Sequence, residues 1–235
     1  MENLISAANN AQKLNKYSTI GIIASLVLGC FYPLFFLFAA CFLVLKICVK
    51  KKGAVHLDYT IDEYQRALID ERMAPLKKIA QSKGLWRIVE ESRVSDRKYT
   101  AGAGISTSRV PCTATTKLPF PFRSNEEAIC FKCGKETFIF LPDKFFLIQN
   151  GVIGALSYSD LTSSVKGTRF IENNLVPSDA KVINWTWLYV NRDGSPDKRF
   201  ANNRKLPICH YGELHLQSEK GEVNTILMFS NTNIE

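Results

Sequence analysis

Acidic side chains are almost missing from the first 53 residues, where Glu2 stands alone against six Lys at 13, 16, 46, 50, 51 and 52. That imbalance removes one easy inference. The 235-residue chain carries a formal charge of +8, which by itself suggests nucleic acid. Residues 54–235, however, hold 24 basic and 21 acidic side chains, so most of the excess lies at the N-terminus. Lys gathered beside an apolar run attracts anionic head groups and holds its flank on the cytoplasmic side. Nucleic acid is not an expected partner.

Charge of either sign is absent from Thr19–Leu45, a run of 27 residues. As one helix it is about 40 Å long at 1.5 Å per residue, against a hydrocarbon core of roughly 30 Å. Such a helix spans with a tilt or with a kink at Pro33. The alternative is a hairpin turning near Gly29–Pro33, whose arms of about 20 Å cross less comfortably. The single span is the expectation. The stretch is too long and starts too late for a cleaved signal peptide, and Phe and Leu on every face argue against a buried soluble helix. Either topology leaves the flank carrying Lys46 and Lys50–Lys52 on the cytoplasmic side of the inner (plasma) membrane.

Catalytic motifs are missing too. The sequence has no Gly-rich phosphate loop, GxSxG, HExxH or Asp-rich metal motif. Cys209 and His210 are adjacent in an expected strand and so face opposite sides; His210 falls on a core face with Leu206, Ile208, Leu214 and Leu216. No enzyme and no cofactor are expected, and a buried group of Asp179, Asp197 and His210 is the feature that would reopen the question. Of the seven Cys, Cys30, Cys41 and Cys48 lie in or beside the apolar run as small apolar residues. Cys112, Cys130, Cys133 and Cys209 read as free thiols in a reducing compartment. Cys130 and Cys133 have the spacing of half a zinc knuckle, but a second tight pair is lacking. No metal is expected, with zinc at this pair the lesser alternative.

Thr60-Ile61-Asp62-Glu63 has capping-box spacing and opens a helix on Ile61, Tyr64, Leu68, Leu76 and Ile79, interrupted or kinked at Pro75 and ended by Gly84. Strands are expected at Leu85–Val89, Thr137–Leu141, Phe145–Gln149, Val152–Ser157, Val182–Val190, Leu206–Leu216 and Val223–Phe229. Asn150-Gly151 marks a tight hairpin, because both residues tolerate positive φ. Tyr99–Ser124, rich in Gly, Ser, Thr and Pro, reads as irregular or edge strand. Ile183, Trp185, Trp187 and Tyr189 share one strand face, read as core or as a groove if that face is open.

Phe138–Leu161, with "FLPDK" (140–144) and "SYSDL" (157–161), resembles the middle of bacterial pleckstrin-homology-like domains. With "RFIE" (169–172), "PSDAKV" (177–182), "WTWLYVNRDGSPDKRFANNRKLP" (185–207) and "YGEL" (211–214), residues 60–235 resemble a bacterial C-terminal region of unknown function. The resemblance implies a shared fold and carries no activity, cofactor or catalytic residue.

The most distinctive stretch is Asn191–Leu206, where Arg192, Lys198, Arg199, Arg204 and Lys205 stand against Asp193 and Asp197. Arg offers phosphate a bidentate fork and Lys a point charge, so this loop is the candidate ligand site; the bland reading is a solvated loop with Asp197 paired to an Arg and Phe200 plugging the core. The expected fold is α+β: an N-terminal tail (1–18), a transmembrane helix (19–49), a basic flank and juxtamembrane helix (50–84), and a β-rich pleckstrin-homology-like or small-barrel domain (85–235). The expected function is a membrane-tethered, non-enzymatic binding or scaffold module. Its partners are membrane lipids, anionic head groups or another protein, and self-association is left open. The alternative is a membrane-acting effector with the β-domain as sensor.

Overall fold

Residues 2–93, 101, 103 and 105–233 are described by the computed structural model of the chain. In chain order the elements are α1 (Glu2–Gly29), α2 (Phe35–Lys52), β1 (Val55–Leu57), α3 (Glu63–Ala80), β2 (Leu85–Arg93), β3 (Ile105–Thr115), β4 (Phe122–Ser124) and β5 (Ile129–Cys133). They continue as β6 (Glu136–Phe140), β7 (Lys144–Gln149), β8 (Val152–Ser157), β9 (Leu161–Ile171), β10 (Lys181–Trp187), β11 (Lys205–Ser218) and β12 (Asn224–Phe229). The chain forms two compact units interleaved in sequence. The first comprises Met1–Gln65, Thr115–Cys130 and Lys135–Ser157; the second comprises Arg66–Ala114, Phe131–Gly134 and Tyr158–Glu235.

The expected single transmembrane helix does not form. Helix α1 stops at Gly29, the chain turns through Cys30–Leu34, and α2 starts at Phe35. Pro33 is the physical reason: it has no N–H for the helical ladder, and its ring disfavours helical backbone at the residue before it. Local bonds close the turn, from Tyr32 N to Leu28 O and from Phe36 N to Pro33 O. The polar first half of α1 and the four Lys of α2 do the rest. Among the described residues no helix is long and apolar enough to cross a membrane. The α+β mixture of helices and antiparallel strands is as expected; the spanning helix is not.

In the first unit, β6, β7 and β8 form an antiparallel meander. Its second turn is the Asn150-Gly151 hairpin, with φ of 52° and 83° as a primed turn requires. Ala8 of α1 packs into the core of this unit with Phe122, Ile139, Leu141, Phe146 and Ile153. Beside it, the Asn9 amide reproduces a strand partner. Its Nδ2 donates to Ile153 O at 3.1 Å and its Oδ1 accepts from Ile153 N at 2.8 Å. That covers part of the β8 edge, a place where open backbone groups invite pairing with another chain. Asn9→Leu leaves both backbone groups unpartnered and is expected to cost about 1–3 kcal/mol, read from the urea midpoint; a shift under a few tenths would mean water already satisfies them.

The second unit is built on β11, which pairs β9 along one edge and β10 and β12 along the other; β12 pairs β2, and β2 pairs β3. Three strands separate β9 from β3, so a flat sheet would hold them at least about 19 Å apart at 4.8 Å per strand. Yet Arg109 on β3 and Glu172, directly after β9, meet at 2.6 Å. The sheet is therefore strongly curled. Inside the curl Arg109 Nη2 donates to both Glu172 oxygens, the Tyr211 hydroxyl donates to Oε2 at 3.0 Å, and the Asn174 amide donates to Oε1. The guanidinium lies between the rings of Trp86 and Phe170, at 4.0 and 4.4 Å. Met228, Ile88 and Cys209 complete this core.

Helix α3 begins later than its sequence suggests. Asp62, not Thr60, is the cap, accepting from Gln65 N at 2.7 Å, while Gln65 Oε1 accepts from Asp62 N. Pro75 lies inside the helix, which ends at Ala80. Met73, Leu76 and Ile79 are buried, whereas Tyr64 and Leu68 remain exposed.

Candidate functional site

The apolar segment gives the molecule its most unusual surface. Contacts between the arms bring Gly21 against the Phe42 ring, Gly29 against the Phe36 ring and Ala11 against Gly53. That register sets Lys16 level with Cys48 and Lys13 level with Lys51. All six Lys therefore gather at one end of the hairpin, and Tyr17–Leu45 beyond them carries no charge.

Burial in this hairpin is the reverse of that in a water-soluble one. Between Tyr17 and Leu45 the buried positions are small, namely Ser18, Ser25, Gly29 and Ala39, with Val49 buried nearer the Lys end. Most large side chains point out, with Phe31 at 75%, Leu34 at 67% and Leu37 at 65% exposure, and Ile23, Val27, Phe38 and Val44 over half exposed; Ile22, Phe35 and Phe42 are half-buried. An amphipathic pair in water buries its Leu, Ile and Phe between the helices. Small residues in the seam with most large apolar ones outside is how helices pack in lipid; here Gly21 and Gly29 make room for the Phe42 and Phe36 rings. The hydroxyls of Ser18 and Thr19 donate to Asn15 O at 3.0 and 2.8 Å, so neither needs water.

Hairpin length fits one leaflet. Tyr17–Gly29 is about 20 Å long and Phe35–Leu45 about 16 Å. Half of a bilayer is about 15 Å of hydrocarbon, or about 21 Å with head groups. Tyr17 sits beside the Lys collar, the level at which aromatic belts occur.

The basic loop is largely tied up within its own unit. Asp197 is buried and accepts from Arg199 N, Nε and Nη2 at 3.1, 3.0 and 2.8 Å. Phe200 stacks on Tyr189 at 4.0 Å, and the Asn203 amide clamps the Tyr189 backbone at 3.0 and 2.8 Å. Arg204 bonds Asn173, and Lys205 lies over the Trp187 ring at 5.3 Å. Asp193 turns back on Ser195, whose hydroxyl and amide hold its carboxyl below the usual carboxylate range. Arg192 and Lys198 are exposed. Charge reversal at Arg199 would set a Glu against the buried Asp197, so Arg192 and Lys198 are the positions at which to test ligand binding.

The aromatic stripe differs from its reading. A bulge between Val182 and Asn184 puts Val182, Trp185 and Trp187 on the Cys209 face of the sheet, with Ile183 as the extra residue. Asp179 accepts from Ser230 Oγ at 2.6 Å and Lys83 N at 2.8 Å, a structural role unrelated to the Asp197 loop.

Cys112 and Cys133 are not free thiols: β3 and β5 bring their Cα atoms to 4.2 Å and a disulfide joins them. Cys130 is buried, which pushes its thiol up to about 12. Cys133 is taken up by the bridge and leaves Cys130 without its expected neighbour, and among the described residues no group of three or more His, Cys, Asp and Glu side chains could hold a metal ion. Burial likewise raises the Cys209 thiol, and burial followed by Glu172 raises the Tyr211 phenol. The bridged residues are 21 apart in sequence. Loop entropy puts the bridge at about 3 kcal/mol, so dithiothreitol should lower the unfolding midpoint accordingly. An unchanged midpoint and mass would mean that the thiols are unpaired.

Comparison with protein-family models, curated proteins and solved structures finds no match.

Proposed function

We propose that the chain is a non-enzymatic, membrane-tethered binding or scaffold module whose helical hairpin enters one leaflet without crossing. The observation that carries this is the inverted seam: Ser18, Gly21, Ser25 and Gly29 inside, Phe31, Leu34, Leu37 and Phe38 outside. Left in water, that surface is far more apolar than a soluble protein tolerates. In lipid it is satisfied on all sides. The Lys collar meets the phosphates of anionic head groups, each Lys contributing about 1 kcal/mol near such a surface. Positively charged flanks stay inside, which assigns the rest of the chain to the cytoplasmic face of the inner membrane. The Cys112–Cys133 bridge argues the other way, since cytoplasmic thiols are kept reduced; labelling Arg192→Cys in intact cells decides the side.

Flotation of the full chain with phosphatidylcholine vesicles, with and without phosphatidylserine, tests the reading. Expected is flotation with both lipids, strengthened by phosphatidylserine in a salt-sensitive way. A protein that remains monomeric and unfloated in both would overturn it.

A further inference from the structure

A hairpin that ends inside the bilayer adds material to one leaflet alone. Two helices of 10–12 Å diameter side by side occupy roughly 200 Å² of the leaflet they enter. The opposite leaflet, beyond the turn at Cys30–Leu34, receives none. At the base, Ala8 and Asn9 dock α1 onto β8 and its meander, so folded mass sits directly at the Lys collar. At the other end there is only a five-residue turn. Only the two helices and their turn enter the leaflet, and the folded mass stays at the water side.

We infer that the protein senses membrane curvature, partitioning onto positively curved surfaces, those whose outer leaflet is spread. Spreading opens apolar gaps between head groups that the hairpin fills, and one-sided insertion relieves the area mismatch between leaflets; insertion of this kind depends on curvature. The occupant is a lipid surface, set by the charge-free depth of one leaflet, the all-round exposure of Phe31, Leu34, Leu37 and Phe38, and the cations gathered at one level. This inference rests on the leaflet-insertion reading above and adds a function to it, since a protein that favours curved membrane also stabilises curvature at high density.

The test compares sonicated small vesicles with large extruded vesicles of one phosphatidylcholine–phosphatidylserine mixture, at equal accessible lipid, using the full chain. Expected is a partition in favour of the small vesicles, lost on both sizes in Phe31→Asp/Leu37→Asp. Equal partition, or a preference for large vesicles, overturns curvature sensing and leaves the anchor standing. No flotation with either size overturns the anchor itself.

Discussion

Phe31→Asp and Leu37→Asp are each expected to weaken lipid partition by about a hundredfold while leaving the fold unchanged. Asp near the middle of a lipid-exposed helix costs about 2.5–3.5 kcal/mol, and every 1.4 kcal/mol is tenfold in an equilibrium constant. Both side chains are mostly exposed and lie outside the seam, so neither substitution opens a cavity or breaks a hydrogen bond. Unfolding midpoints in urea should therefore stay within about 0.5 kcal/mol of the parent. In a hairpin designed for water the same changes would leave flotation alone and raise solubility. Vesicle flotation and urea unfolding of the same samples separate the two cases. Undiminished flotation with the double variant would remove the hairpin as the anchor.

Glu172→Leu is expected to destabilise the second unit by about 3–5 kcal/mol, because it leaves the Arg109 guanidinium buried without its counter-charge. The Glu172 side chain is fully buried and that of Arg109 is 10% exposed, so water cannot replace what is lost. Tyr211 and the Asn174 amide lose their acceptors in the same step. Adding Arg109→Met should recover most of the loss, since an ion pair replaced by apolar residues of similar volume is often neutral or stabilising. Denaturant curves of the single and double variants give the comparison. A loss below about 1 kcal/mol in the single variant would show that the pair is solvated, and with it the tight curl of the sheet would fall.

What the sequence made legible is local. Asn150-Gly151 can hardly sit anywhere but in a primed hairpin, and β7 and β8 flank it as read. Strands β11 and β12 carry long apolar patterns and were readable to within a residue or two. The helix of 63–80 was readable, but Thr60-Glu63 and Asp62-Gln65 both fit a capping box, and only the second forms. Strand β9 was missed because Leu161–Ile171 is exposed on most of its length and lacks an apolar alternation. Hydrophobic period is the main sequence signal for a strand, and here pairing with β11 supplies what the pattern does not.

The rest depends on residues far apart in sequence. Arg109 and Glu172 are 63 positions apart, and neither announces that it will be buried. Cys112 becomes a partner of Cys133 only once β3 lies beside β5. The apolar run was visible at once, but its length admitted one long helix or two short arms. Pro33 fits a kink in one helix as well as a turn between two, and in the structure it stands in the turn. The arms' register, with Gly21 on Phe42 and Gly29 on Phe36, shows that the small residues face inward, a fact that composition does not contain. In the basic loop the five cations and an Asp197–Arg pair were legible, but not that Asn173 and Trp187 would engage Arg204 and Lys205.

The central claim is that the turn at Cys30–Leu34 stops within the bilayer, and the most direct measurement is the accessibility of Cys30. Cys30 is exposed at the end of the hairpin, so with Cys41→Ser and Cys48→Ser it becomes a thiol probe at that depth. In vesicle-bound full chain, Cys30 should resist a membrane-impermeant maleimide added outside or trapped inside, and a fluorophore attached there should be quenched by spin labels near the bilayer centre. Reaction with reagent added outside would mean that the hairpin lies in water, and reaction with reagent trapped inside would mean that it crosses; either result contradicts insertion into one leaflet.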